Sequence, residues 1–344
     1  MGFLGLQEGC VFYVFNKCNK IKKKKKLHNL RNNNFFLQNE LTNTKHITNI
    51  NNYKRYYYVC DDSSLLKITE ICDDTVCISS TKRIKKDNNI LITFEALELT
   101  NFKHYLRTLK NPTTYVYTIV DFYRRLLFSI HLMVKNKLVH NNINFDSIVV
   151  NNHLPLFSEF LFSINISHID LKPYIKSFFI TYDPTFVEWP IEIHMLSYLI
   201  SHNLNSLSFS NIENIIDNVT KYNELLKSFG DSFVSSYKEE ALQYFNKYVN
   251  QSYDYILTDV LLYYDTWDNY ALSILFLRIL IGIHRTSGIK NKFIILFMKL
   301  LVGNIHLNPL KRLSVSATTI CFESLLDNIE PKDYKEVINN LCLR

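Results

Sequence analysis

Between Thr114 and Lys137 the apolar residues Val116, Ile119, Val120, Tyr123, Leu126, Leu127, Ile130 and Met133 recur at intervals of three and four. That is the period of one helix face, and a stripe of this length predicts a long helix buried along one side. Directly after it comes LVHNNINFDSIVVNNHLPLFSEF, Leu138 to Phe160, in which Ile148 to Val150 reads as a strand. Short β-like runs precede the helix, and nearly everything after Ile191 has helical patterning. The chain is therefore expected to be α+β, with a small β-rich N-terminal lobe over residues 1–97 and a larger helical lobe over 98–344.

Within the first lobe, FLGLQEGCVFYVF (Phe3 to Phe15) reads as two strands around a glycine turn. A polar stretch rich in Asn and Lys, about 16–52, is expected to be an inserted loop. After it come a β-like run at Tyr56 to Cys60, a short helix from Ser63 to Cys72, and strands at Val76 to Ile84 and Asn89 to Leu97. A second insertion is expected at about 193–266 in the helical lobe.

With 344 residues, 47% of them hydrophobic and 14% aromatic, the chain can fill a sizeable core. The net charge of +7 comes from the N-terminal region, where seven lysines lie between Lys17 and Lys26, and the rest of the chain is balanced. The run Lys22 to Lys26 could hold nucleic acid by counterion release, but its Asn-rich setting favours a solvated loop. Seven cysteines without a CxxC pair imply neither a disulfide framework nor a metal site. The apolar runs Tyr270 to Ile283 and Phe293 to Val302 are short for a bilayer and carry Arg278 and Lys299, so they are expected to be buried helices, with no membrane partner. Leu6 stands where a myristoylation signal needs Ser or Thr, and no signal-peptide pattern opens the chain. A cytoplasmic protein is expected.

The segment 138–160 resembles the catalytic loop of protein kinases, VHRDLKPENIL, followed by a strand and DFG. His140 falls on the motif His, Asn142 on the catalytic Asp, Asn144 on the Lys and Ser147 on the metal-binding Asn, while Ser158, Glu159 and Phe160 fall on DFG. Upstream, Ile90 to Leu106 looks like the last strand of the small lobe, a hinge at Glu95 to Leu97 and the helix after it. Downstream, FVEWPIE resembles the APE element through Pro190 and Glu192, WDNYALSILFL carries Asp268 in the place of a structural Asp, and NPLKRLSV carries Arg312. HIDLKPYI (His168 to Ile175) is closer in its letters, yet only 22 residues separate Asp170 from Glu192, too few for two strands, a DFG turn and an activation segment. It reads as part of the activation segment. The glycine loop, with Gly5, Gly9 and Val11, is similar to the GCV loops of divergent kinase-like proteins of large DNA viruses.

The resemblance implies a bilobal protein-kinase-like fold and, in an active member, ATP and Mg²⁺ as cofactors for Ser/Thr phosphorylation. Phosphoryl transfer consists of positioning and charge neutralisation, and the groups that supply them are changed here. Asn142 has no basicity, and the hydroxyls of Ser147 and Ser158 are poor anchors for Mg²⁺. Two registers remain for the lysine of the third strand: Lys67, or a placement that puts Asp61 there with Glu70 on a short following helix. The latter leaves two strands to complete the sheet and is preferred. The resemblance so amended points to a pseudokinase that binds or scaffolds a protein partner. A divergent Ser/Thr kinase using Asp146, Asp170 or Glu159 is the alternative, and nucleic-acid binding through Lys22 to Lys26 a third reading. Glu192 and Arg312 are expected to form a buried structural pair, Asp268 to be architectural and His140 to pack in the loop.

Overall fold

The lysine-rich run, expected to be a solvated loop, is a strand. The computed structural model describes residues 11–15, 21–65, 75–77, 89–95, 97–287, 292–328, 330, 332 and 335. It begins with β1 (Val11–Phe15), β2 (Ile21–Asn29) and α1 (Leu30–Thr48), then β3 (Cys60–Leu65), β4 (Thr75–Cys77), β5 (Asn89–Glu95) and β6 (Leu99–Asn101). Next come α2 (Phe102–Thr108), α3 (Pro112–Lys135), β7 (Leu138–Val139), β8 (Ile148–Asn151), β9 (Leu154–Phe157) and β10 (Ile164–Asn165). The rest is helical: α4 (Leu171–Phe178), α5 (Ile191–Ser201), α6 (Phe209–Tyr222), α7 (Glu224–Lys227), α8 (Asp231–Phe245), α9 (Tyr253–Leu261), α10 (Tyr264–Ser287), α11 (Lys292–Asn304) and α12 (Val315–Asp327). The architecture is mixed α+β and mostly helical. Two units divide it, Met1–Thr100 with Val149–Ser163, and Asn101–Ile148 with Ile164–Arg344. Residues 149–163 thus group with the first unit, whereas the sequence places them in the second. Their tie is β9, where Phe157 exchanges backbone bonds with Tyr56 and Tyr58.

The sheet of the first unit has the order β3-β5-β2-β1-β4. β2 lies between β5, which it meets from Lys23↔Glu95 to Asn29↔Asn89, and β1, which it meets from Val11↔Lys26 to Phe15↔Ile21. This corrects the expected loop at 16–52: its described part holds a strand and a helix. α1 was hidden because its buried face is largely polar. Phe36, Asn39, Glu40, Asn43 and Ile47 are all buried at helical spacing, but a search for apolar periodicity sees only the two ends of that stripe. Lys45 and His46 in its last turn complement the helix dipole. Residues 63–65 of the expected helix at 63–72 are strand β3. A register shift between Cys60 and Asp62 puts Asp61 at an irregular position. Gly5, Gly9, Lys67 and Glu70 lie outside the described residues, and Val11 opens β1.

In the second unit α3 covers the expected helix, with Asn111 capping its first turn and Pro112 at the first helical position. Its fully buried Tyr123 packs edge-on against Phe276 of α10, Phe297 of α11 and Phe322 of α12, with ring centroids 5.0, 4.9 and 4.7 Å away. The same helices share a buried polar set. Asn269 donates to Leu313 O and Thr318 Oγ1, and Asn304 donates to Ser273 Oγ and accepts from Thr318. Such groups fix one register because any slip leaves them unsatisfied. α10 is long and apolar enough to cross a membrane over Tyr264–Ile283 by length and composition, and most of it is buried in the unit. The insertion expected at 193–266 is a run of packed helices, α5 to α9. Gly230, at φ 99°, gives the turn into α8, where a side chain would be strained.

Candidate functional site

The end of α3 leads into a loop whose backbone is held from outside. Lys137 (φ 58°) and Asn141 (φ 60°) take the left-handed conformation on either side of β7, which pairs with β10 through Val139↔Ile164. The His140 and Asn141 amides both donate to the carboxylate of Asp268 in α10, at 2.6 and 2.9 Å. The Trp189 indole donates to Asn141 O at 2.9 Å. Asp268 is buried, and burial pushes its carboxyl up to about 6 while the two amides pull the other way.

Beyond this anchored stretch the loop is closed by amides and a hydroxyl. The Asn144 side chain donates to Asn142 Oδ1 at 3.0 Å and to Asn142 O at 3.2 Å, and its own Oδ1 accepts from the Asp146 and Ser147 amides. Ser147 Oγ accepts from the Asn144 amide at 2.9 Å and donates to Asn144 O at 3.1 Å. The exposed Asp146 accepts from Asn101 Nδ2 at 3.3 Å. His140 and Ile143 are buried beneath. Asn142, Asn144 and Ser147 are therefore together, and they bond chiefly to one another. The loop carries one carboxylate, at its exposed edge.

A second cluster joins the start of α10 to two distant segments. Arg312 donates from both terminal nitrogens to Glu192, at 2.5 and 2.9 Å, with both side chains essentially inaccessible. Its Nε and Nη2 also donate to His306 O and Leu307 O, and its guanidinium lies 5.2 Å from the centre of the Tyr270 ring. Every face of the charge is occupied, the condition for a buried ion pair to be tolerated. Thr266 and Tyr270 on one side and Asp268 on the other make the first turns of α10 the piece that fixes both clusters.

Ser158, Glu159 and Phe160 are in the first unit. Ser158 is buried, Glu159 is exposed at φ 65°, and Phe160 is buried with its ring 5.9 Å from that of Tyr57. Behind them α1 supplies what the sequence reading missed. Asn39 donates to Leu161 O and Ser163 O, and Asn43 to Ser163 O, each at 2.8 Å, while Phe36 packs on Phe162. No spacing rule links residues so far apart in sequence. Trp189 was likewise silent in the sequence. His168 to Ile175 forms a turn and most of α4, tied to α9 by Lys172–Asp254 at 2.8 Å and by Lys176 over the Tyr253 ring. Among the described residues no group of three or more His, Cys, Asp or Glu could hold a metal ion.

No protein-family model matches the chain, and no curated protein matches it.

Proposed function

We propose that the chain is a protein-kinase-like module that has given up phosphoryl transfer and acts by binding another protein. The observation that carries this reading is the closure of the loop by amides and a hydroxyl. At the position of the catalytic base, Asn142 accepts a bond from Asn144, a neutral copy of a contact that needs charge to activate a hydroxyl. Where the family has its metal ligands, Ser147 spends its hydroxyl inside the loop and Ser158 is buried. These residues do not fit Mg²⁺, which wants charged oxygen in octahedral array. Around the altered loop the supports are those such a fold requires: Asp268 on the loop amides and Glu192 paired with Arg312. The reading also gains a helix, since α1 follows β2 as the regulatory helix follows the lysine-bearing strand. The lysine is then to be sought in β2, ahead of the buried Glu40, and neither at Lys67 nor at Asp61. Residues 22–26 belong to a strand paired on both sides, and no observation singles them out for nucleic acid.

Purified protein incubated with Mg²⁺ and labelled ATP should transfer no phosphate to itself or to general substrates. Transfer that persists in clean protein and disappears in Asp146→Ala or Asp170→Ala would replace this reading with that of a divergent Ser/Thr kinase.

A further inference from the structure

α3 and α12 lie side by side and run in opposite directions. Arg124 holds Glu323 with two nitrogens, Nε donating to Oε1 at 2.6 Å and Nη2 to Oε2. Seven residues further along α3 and seven back along α12, His131 Nδ1 lies 3.4 Å from Ser316 Oγ. Between these two contacts stand Phe128, 44% exposed, and Ile320, 70% exposed. The pair is the apolar centre of an outer face whose charges lie at its two ends.

The placing of those charges is regular. Lys135, the last residue of α3, is seven residues past Phe128, and Asp327, the last residue of α12, is seven past Ile320. Seven residues are close to two full turns, so each charge shares the stripe of its apolar partner, about 10.5 Å away along the axis. Because the helices are antiparallel, the lysine and the aspartate stand at opposite ends of the face. Both are exposed, and neither is in an ion pair among the described residues. Beside Asp327, Arg124 is bonded to Glu323 and Arg125 to Asp121. Asp327 also sits at the C-terminal end of a helix, where the dipole disfavours an acid.

A half-turn about an axis between Phe128 and Ile320 carries Phe128 onto Ile320 and Lys135 onto Asp327. The face is therefore complementary to itself, as an isologous contact requires. A rim of one sign would suit a foreign partner, whereas this one suits a copy of the same chain. We propose that the α3–α12 face is a two-fold interface between two copies of this chain, with Phe128 packed on the partner's Ile320 and Lys135 paired with the partner's Asp327. The contact uses no residue of the loop at 142–147 and stands apart from the kinase-like reading.

The test is sedimentation of the full chain at about 10 μM, above the micromolar-to-picomolar range of standard interfaces. The parent should run at twice the chain mass of 40.7 kDa. Ile320→Asp should weaken association by about thirtyfold or more, the scale of a central contact, with the melting transition unchanged. Lys135→Asp and Asp327→Lys should each weaken it by about fivefold through like-charge contact at the rim, and the chain carrying both should recover. Contact between copies is then mapped with a short bismaleimide on Lys135→Cys/Asp327→Cys in a Cys321→Ser background. Within one chain the two sites are separated by about 21 Å of helix rise, so a 135–327 link has to join two copies. A parent that stays a monomer at this concentration, whatever else covers the face, overturns the proposal. So does a dimer that Ile320→Asp leaves intact, one whose charge-swapped chain stays as weak as the single variants, or one that gives no 135–327 link.

Discussion

The loop at 142–147 and the cluster around Glu192 and Arg312 lie in one unit and are built on opposite principles. The cluster keeps a full ion pair out of reach of water, and each charge is met from several sides. The loop is half open to water, yet it is closed mainly by neutral amides and a hydroxyl. Charge is thus kept where it holds distant segments together, while the inner bonds of the loop are neutral. The difference teaches that these charges serve architecture. A fold has to keep the groups whose loss would strand a buried partner.

The sharpest way to break that contrast is to cut the ion pair. Arg312→Ala and Glu192→Ala should each cost about 3–5 kcal/mol in urea unfolding, because each leaves the other charge buried and unpaired. The double variant should fall well short of the sum, since the second removal relieves the first. Additive costs would make the cluster as dispensable as a surface pair. Next comes Asp268→Asn, which keeps the shape but presents a donor to one of two donor amides. It should cost about 2–3 kcal/mol and speed amide exchange at His140 and Asn141. Smaller again is Asn144→Ala, at about 1 kcal/mol for bonds that water can replace. A cost equal to that of Asp268→Asn would erase the distinction between loop and anchor.

What the sequence disclosed follows the same division. α3 was legible because its buried face is apolar throughout, so period and burial coincide. The meeting of Glu192 and Arg312 was legible only through the resemblance, since no local rule joins residues 120 positions apart. α1 was illegible for a physical reason: Asn39 and Asn43 are buried for the sake of carbonyls at 161 and 163, and an Asn that faces a carbonyl looks in sequence like an Asn that faces water. The lysine run misled in the same way, because a run of charge reads as a loop while backbone pairing on both sides has no signature of its own. Asn144 was assigned its position, but its bonds to Asn142 depend on a loop path that Asp268 and Trp189 impose from elsewhere.

In the parent protein the smallest expected effect is a cancellation, and it tests whether the buried groups act as charges at all. Asp268 has its carboxyl raised by burial from 3.8 to about 6, so its contribution to stability is full below 3.8 and is lost as the pH rises through 6. His194, wholly buried on α5, is pushed by burial from 6.5 down to about 4, while the nearby Phe186 and Trp189 backbone and Asp183 oppose the shift. Its contribution is therefore present above 6.5 and lost as the pH falls through 4. Between pH 6 and 4 the two run in opposite directions, each at about 1.4 kcal/mol per pH unit, so the parent protein gains almost nothing from this pair on acidification. His194→Phe removes one side of the balance, and its aromatic neighbours Trp189 and Tyr182 should accept the ring. Stability measured in urea at pH 7, 6 and 5 should then rise toward acid in the variant relative to the parent, by about one kcal/mol per unit. Asp268→Asn should move the opposite way. Parallel curves for all three proteins would show that neither group changes its protonation on folding, and that Asp268 holds the loop by shape alone.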